Sequence, residues 1–135
     1  MGKNNYDLGI LIQRLSVGGL MLFHGIHKLI GGVSWMGDML AAKGIPSFVA
    51  YGSIIGEVIA PVMIIFGIKT RLAAFIYAFT MFVAFMLVHT GDIFSLDPAT
   101  GGWKIELVAA YFFGAVVLII TGGGKFSFTK GGKLD

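Results

Sequence analysis

Cysteine is absent from the 135-residue chain. That excludes a dithiol redox pair, a disulfide framework, a cysteine-ligated iron–sulfur cluster and a thiolate nucleophile, so any redox role needs a centre supplied from elsewhere. Charge is scarce as well: Asp, Glu, Lys and Arg make up 13% of residues, about half the share of an ordinary soluble domain. No window alternates apolar and polar residues in the manner of a β-barrel strand. The amino end lacks a basic run, a short apolar core and a small-residue cleavage motif, and its apolar stretch carries Arg14, His24 and Lys28. It is therefore expected to be retained rather than removed as a signal peptide.

What is abundant is apolar surface, with 56% hydrophobic residues and a mean hydropathy of +0.87. Four long apolar stretches, residues 8–30, 48–68, 72–89 and 105–121, are separated by clusters of Gly, Pro, Asp and Lys. They predict an all-α, four-transmembrane-helix bundle filling residues 1–121, with a basic tail over residues 122–135 and no second domain. The first stretch is about 35 Å long as a helix and the fourth about 26 Å, enough to cross roughly 30 Å of hydrocarbon with tilt or slight thinning. Lys3, Lys69, Arg71, Lys125, Lys130 and Lys133 fall on the side of both termini, against Lys28, Lys43 and Lys104 on the other. The positive-inside rule then predicts both termini in the cytoplasm and a multi-pass protein of the inner (plasma) membrane. The net charge of +3 is spread over loops and tail, which predicts contact with membrane lipid and no nucleic-acid partner. Trp35, Tyr51 and Trp103 suit interfacial anchors.

Twenty-one glycines are many for such a chain. Gly52 and Gly56 stand at GxxxG spacing, which reads as helix packing within the bundle or as the face of a homo-oligomer. Phe75, Phe79, Phe82 and Phe85 with Met86 recur at helical spacing, as packing or lipid-facing residues do. The tail reads as mobile chain touching anionic lipid.

Ionisable groups inside apolar spans cost at least about 2.5 to 3.5 kcal/mol each, so Arg14, His24, Lys28, Glu57, His89 and Glu106 need a physical reason. Arg14, Gly18, Met21, Gly25 and Lys28 share one helix face, with His24 beside Lys28. His27 points far round from Arg14 and reads as interfacial. By helical rise His24 lies about 9 Å below the outer end and Glu57 about 13 to 14 Å, so the two are expected to meet. His89 and Glu106 close the outer ends of their spans. The whole set predicts one outward-facing polar cavity lined by all four helices, with Arg14 pairing Glu57 or reaching the inner headgroups, and Lys28 free to pair with Glu106. A metal or haem site from His24 and His89 lacks an HxxxH pair and a third ligand, and none is expected.

Particular residues also carry a resemblance. Arg14-Leu15, Phe23-His24-Gly25 and Lys28-Leu29 in the first span, Gly56-Glu57 in the second, and Gly67 with Thr70-Arg71-Leu72-Ala73-Ala74 at the inner turn resemble the signature of the DoxX family. His89 with Gly91 and Phe94, Gly101-Gly102-Trp103 and the segment Gly122 to Ser127 add to it. Lys104 stands where that family commonly has an acid, with Glu106 two residues on; Gly123 replaces a frequent proline and Thr129 a frequent aspartate. The resemblance implies a small four-helix membrane protein of a family described as candidate oxidoreductase subunits, some related to the membrane part of thiosulfate:quinone oxidoreductase and others linked to thiol and oxidative-stress defence.

Residues and resemblance together predict a membrane subunit or partner of a redox system, with a quinone in the cavity, no covalently bound cofactor and electrons from a redox partner protein. His24 and Lys28 would polarise a quinone carbonyl, Glu57 and His89 would relay protons, and Arg14 would hold Glu57 ionised. Arg14, His24, Lys28, Glu57, His89 and Glu106 are the ligand-binding candidates, and His24, Glu57 and His89 the catalytic ones. The rival readings are a non-enzymatic membrane scaffold, whose ion pairs merely fix helix register, and a small-solute or proton transporter.

Overall fold

The computed structural model describes residues 2–135, which form an all-helical bundle; among them the only β-type pairing is one bridge, Leu96 to Trp103. Helix α1 (Lys3–Gly31) is 29 residues long, or about 43 Å. A short helix α2 (Ser34–Ala42) follows, so much of the segment expected to be loop is helical. Helix α3 runs Ser47–Phe66, α4 Thr70–Asp92 and α5 Glu106–Thr121. The apolar length of α1, α3 and α4 suffices to cross a membrane, and α5, at 16 residues, is shorter. In contact order the four long helices close a ring, α1 on α3, α3 on α4, α4 on α5 and α5 back on α1.

Lipid supplies no hydrophobic force between helices, so their association depends on close approach and on hydrogen bonds. The inner face of α4 is accordingly small, with Ala73, Ala74 and Ala78 around the buried Tyr77 and Met81. The Tyr77 hydroxyl donates to the carbonyl of Val17 at 3.0 Å, and Gln13 donates to the carbonyl of Gly114 at 3.1 Å, tying α1 to α4 and α5. Gly56 lies so close to Thr80 that a Cβ would overlap that side chain, whereas Gly52 faces open space. Half of the GxxxG spacing therefore serves packing between α3 and α4. Phe75, Phe79, Phe82 and Met86 point outward, each more than half exposed, where they meet lipid chains rather than the core.

Two helices widen into π turns, Ile55–Ile59 in α3 and Phe85–His89 in α4. In α3 the cause is legible. Pro61 has no N–H for the carbonyl four residues earlier, and its ring crowds that carbonyl, which belongs to Glu57. The freed carbonyl faces Gly25 of α1, where a Cβ would collide with it. Helix α2 caps this end through Leu40, which clusters with Val33 before it and Ala50 of α3 and packs with Met36, Ile45, Ile54 and Leu87.

The tail departs from the expectation of mobile chain. It folds back under the opposite end, where the main-chain N–H of Lys125 donates to Asp7 at 3.0 Å and those of Arg71 and Leu72 donate to the carbonyl of Leu134. The Asp135 carboxylate accepts from Thr129 at 2.7 Å and from the Gly132 N–H at 2.8 Å, and lies 3.4 Å from the Lys69 ammonium. These donors, Thr129 first, hold its pKa below the usual carboxylate value.

Candidate functional site

The π turn of α3 presents Glu57 to the last turns of α1, where Lys28 donates to its Oε2. Both side chains are largely buried, at 17% and 9% exposure. A lone ammonium or carboxylate at this depth would be costly; paired, each neutralises the other. The pair replaces both alternatives drawn from the sequence. Glu57 does not meet Arg14, and Lys28 does not meet Glu106.

The reason is helix length. Arg14 lies about two fifths of the way along α1, level with the C-terminal turn of antiparallel α3, while Glu57 lies about 10 Å nearer the other end. The Arg14 guanidinium, 1% exposed, instead donates to four carbonyls: Ile64 at 2.9 Å, Ile65 at 2.8 Å, Gly123 at 3.2 Å and Phe126 at 2.9 Å. The first two lie in the last turn of a helix, where a cation is favoured, and that of Ile64 also accepts from the Gly67 N–H at 3.1 Å. Gly67, in a left-handed conformation with φ of 71°, ends α3 beside this guanidinium. Arg14 is thus the clasp between α1, the end of α3 and the folded tail.

Beside Lys28 opens a recess of about 290 Å³ lined by His24, His27, Lys28, Gly31, Gly32 and Trp35; Glu57 is not part of its wall and joins the site through its ion pair with Lys28. His27 belongs to it, although its helical angle from Arg14 suggests an unrelated face: His24, His27 and Lys28 are neighbours at i, i+3 and i+4. The His24 ring meets the edge of Tyr111 at 5.9 Å and 83°, and Tyr111 in turn stands edge-on to Tyr77 at 6.3 Å. A file of three aromatic rings therefore runs from the recess to the centre of the bundle. Neither tyrosine was a candidate in the sequence, and the only signal for Tyr111 is its hydroxyl within an otherwise apolar fourth span.

His89 lies elsewhere. Its Nδ1 is 3.4 Å from Asp92, whose other oxygen is 3.4 Å from Lys104. Glu106 is exposed at the start of α5, its carboxylate over Gly102. The structure thus joins His24, Lys28 and Glu57 in one site, adds His27, Trp35 and Tyr111, and leaves His89, Glu106 and Arg14 outside it.

Chemically the recess offers two imidazoles that donate or accept, the Lys28 ammonium, itself paired with Glu57, and the indole of Trp35. These groups recognise a flat molecule with carbonyl or anionic edges. Fold and site together define a multi-pass helical membrane protein with His24, His27, Lys28 and Glu57 gathered at one end of the bundle. The family model for DoxX matches residues 9–90, and the chain belongs to the DoxX family. It is 30% identical over 89 residues to the Bacillus subtilis (strain 168) protein named "Putative oxidoreductase CatD", the match covering 64% of this chain and 63% of that relative. The matched region thus spans less than two thirds of the relative's length. No solved structure matches the chain. The family match contains Arg14, His24, Lys28, Glu57 and His89 and stops short of Tyr111 and the tail.

Proposed function

We propose that this protein is a membrane subunit or partner of a redox system and that the recess beside Lys28 and Glu57 holds the ring of a quinone. The observation that carries the reading is the placement of His24, His27 and Lys28 around one recess with Trp35 at its wall, the Lys28 ammonium being paired in turn with Glu57. At about 290 Å³ the recess is at the small end of ligand sites, large enough for one ring and its substituents. The isoprenoid tail of such a ligand would lie outside, among lipid-facing side chains.

A quinone supplies two-electron chemistry, and without cysteine the chain offers it no thiol donor, so the electrons come from a redox partner protein. The chain's own residues do the rest. His24 and His27 orient carbonyl oxygens by donating hydrogen bonds. The Lys28 ammonium polarises a carbonyl and stabilises negative charge on it. Glu57, paired with Lys28, receives or passes a proton at its carboxylate. Tyr111 fixes the tilt of the His24 ring. His89 has no part in this set, and Lys28 takes the position that Arg14 was expected to fill. The excess of Lys and Arg on the side of both termini supports a reading in which the recess opens on the outer side of a bacterial inner membrane.

Thermal-shift titration of detergent-purified protein with a short-chain quinone, beside extraction of co-purified lipid, tests this. Saturable stabilisation of the wild type, lost in a folded His24→Ala variant, supports the site. A well-folded wild type that shows neither stabilisation nor co-purified quinone sinks the reading and leaves the ion pair as packing glue of a scaffold.

A further inference from the structure

At the opposite end of the bundle Lys3, Asn4, Asp7 and Lys125 line a second recess of about 370 Å³. Asp7 is 6% exposed, and its Oδ1 accepts from the main chain of Lys125. Its Oδ2, equally buried, has no hydrogen-bond partner among the described residues. An acceptor left in this way costs free energy unless something donates to it. Two ammonium groups flank the same recess, those of Lys3 and Lys125, the latter 5.7 Å from the centre of the Phe126 ring. The first-turn N–H groups of α1 add further positive potential. A bare cation would be repelled by both lysines, and a bare anion would leave Asp7 unsatisfied. The complementary ligand carries both signs, an ammonium with N–H donors and a phosphate a few bonds away.

We infer that this recess binds the phosphoethanolamine headgroup of a membrane lipid, with its ammonium donating to Asp7 Oδ2 and its phosphate held by Lys3, Lys125 and the Asn4 amide. Depth agrees with this. Helix α1, at about 43 Å, matches the 40 to 45 Å of a bilayer including its headgroups, so the turn from Lys3 to Asp7 lies in the headgroup layer. Directly below Asn4 on the same helix face stand Leu8 and Ile12, 50% and 56% exposed, an apolar track for an acyl chain. The volume, about a dozen waters at roughly 30 Å³ each, accommodates a compact headgroup. The site is independent of the quinone recess and stands or falls without it.

The discriminating comparison is between ethanolamine and choline headgroups, because the quaternary ammonium of choline has no N–H to donate. The full-length protein in nanodiscs of phosphatidylcholine is titrated with phosphatidylethanolamine or phosphatidylglycerol, and bound lipid is counted by native mass spectrometry. The expected result is about a tenfold preference for ethanolamine over choline, the factor a charge-assisted hydrogen bond confers. That preference disappears in Asp7→Asn, while Lys125→Ala weakens both lipids alike. Equal binding of ethanolamine and choline lipids in the wild type overturns the inference without recourse to any variant. Stronger binding of phosphatidylglycerol overturns it in favour of an anion site. Full displacement by soluble glycerophosphoethanolamine at equimolar level overturns the assignment to a lipid.

Discussion

Replacing Arg14 with alanine should release the tail before it unfolds the bundle. The guanidinium makes four hydrogen bonds, two to the end of α3 and two to the tail. Interhelical hydrogen bonds in membranes average about 0.6 kcal/mol, and bonds from a charged donor reach about 1.5 kcal/mol or more. The sum is a loss of about 2.5 to 6 kcal/mol. The two bonds to Gly123 and Phe126 make up half of it, about 1.2 to 3 kcal/mol, which raises the population of the open tail roughly 10- to 100-fold. Under conditions where cleavage samples that open population, trypsin should cut after Lys125 faster by the same factor in Arg14→Ala. Arg14→Lys, with three donors for four carbonyls, should fall between variant and wild type. Mild denaturation in mixed micelles reads the global loss. Unchanged tail cleavage in Arg14→Ala would refute the clasp. So would a Glu57→Gln variant that loosens the tail equally, because that would return Arg14 to Glu57.

Other consequences can be checked alongside. Gly25→Ala places a Cβ against the Glu57 carbonyl and 2.7 Å from Val58 Cγ2, so it should cost about 1 to 3 kcal/mol and lower quinone stabilisation in the thermal-shift assay. Lys28→Met and Glu57→Leu should each destabilise by up to about 3 kcal/mol, because each strands a buried partner. The double variant should cost clearly less than the sum of the two, read as a coupling energy from a double-mutant cycle. For Asp135 the folded pKa is depressed. Its stabilisation of the tail is therefore present above the ordinary carboxylate pKa and is lost as pH falls through the lower folded value. Hydrogen exchange of the tail amides should stay protected from neutral pH down to about pH 4 and accelerate only below it; acceleration between pH 7 and 5 would contradict this.

The spans were legible because their signal is compositional. Four apolar runs broken by Gly, Pro and charge leave little freedom in an all-α chain, and the helices fall within a few residues of those runs. Pairings were less legible. Helical rise and a shared face bring Lys28, His24 and Glu57 to similar depth, but they point Arg14 to Glu57 or to the inner headgroups, whereas its acceptors are main-chain carbonyls, which no side-chain pattern displays. His27 was set aside by measuring its angle from Arg14 rather than from His24, its neighbour in the recess. The tail looked mobile because glycine and lysine dominate it. What orders it is Arg14 and Asp7, more than a hundred residues away in sequence. Tyr111 could not be matched to His24 without knowing that α5 closes the ring against α1.

The most direct test of the account uses the recess's own indole. The chain has two tryptophans, so Trp103→Phe leaves Trp35, at the recess wall, as the sole tryptophan, and a bound quinone quenches its fluorescence on contact. Titration with a short-chain quinone in micelles should give saturable quenching of Trp35, with the midpoint raised at least about tenfold in Lys28→Met and His24→Ala. Quenching that rises linearly with quinone and is identical in both variants would show collision in the micelle, and would contradict a quinone site in this recess.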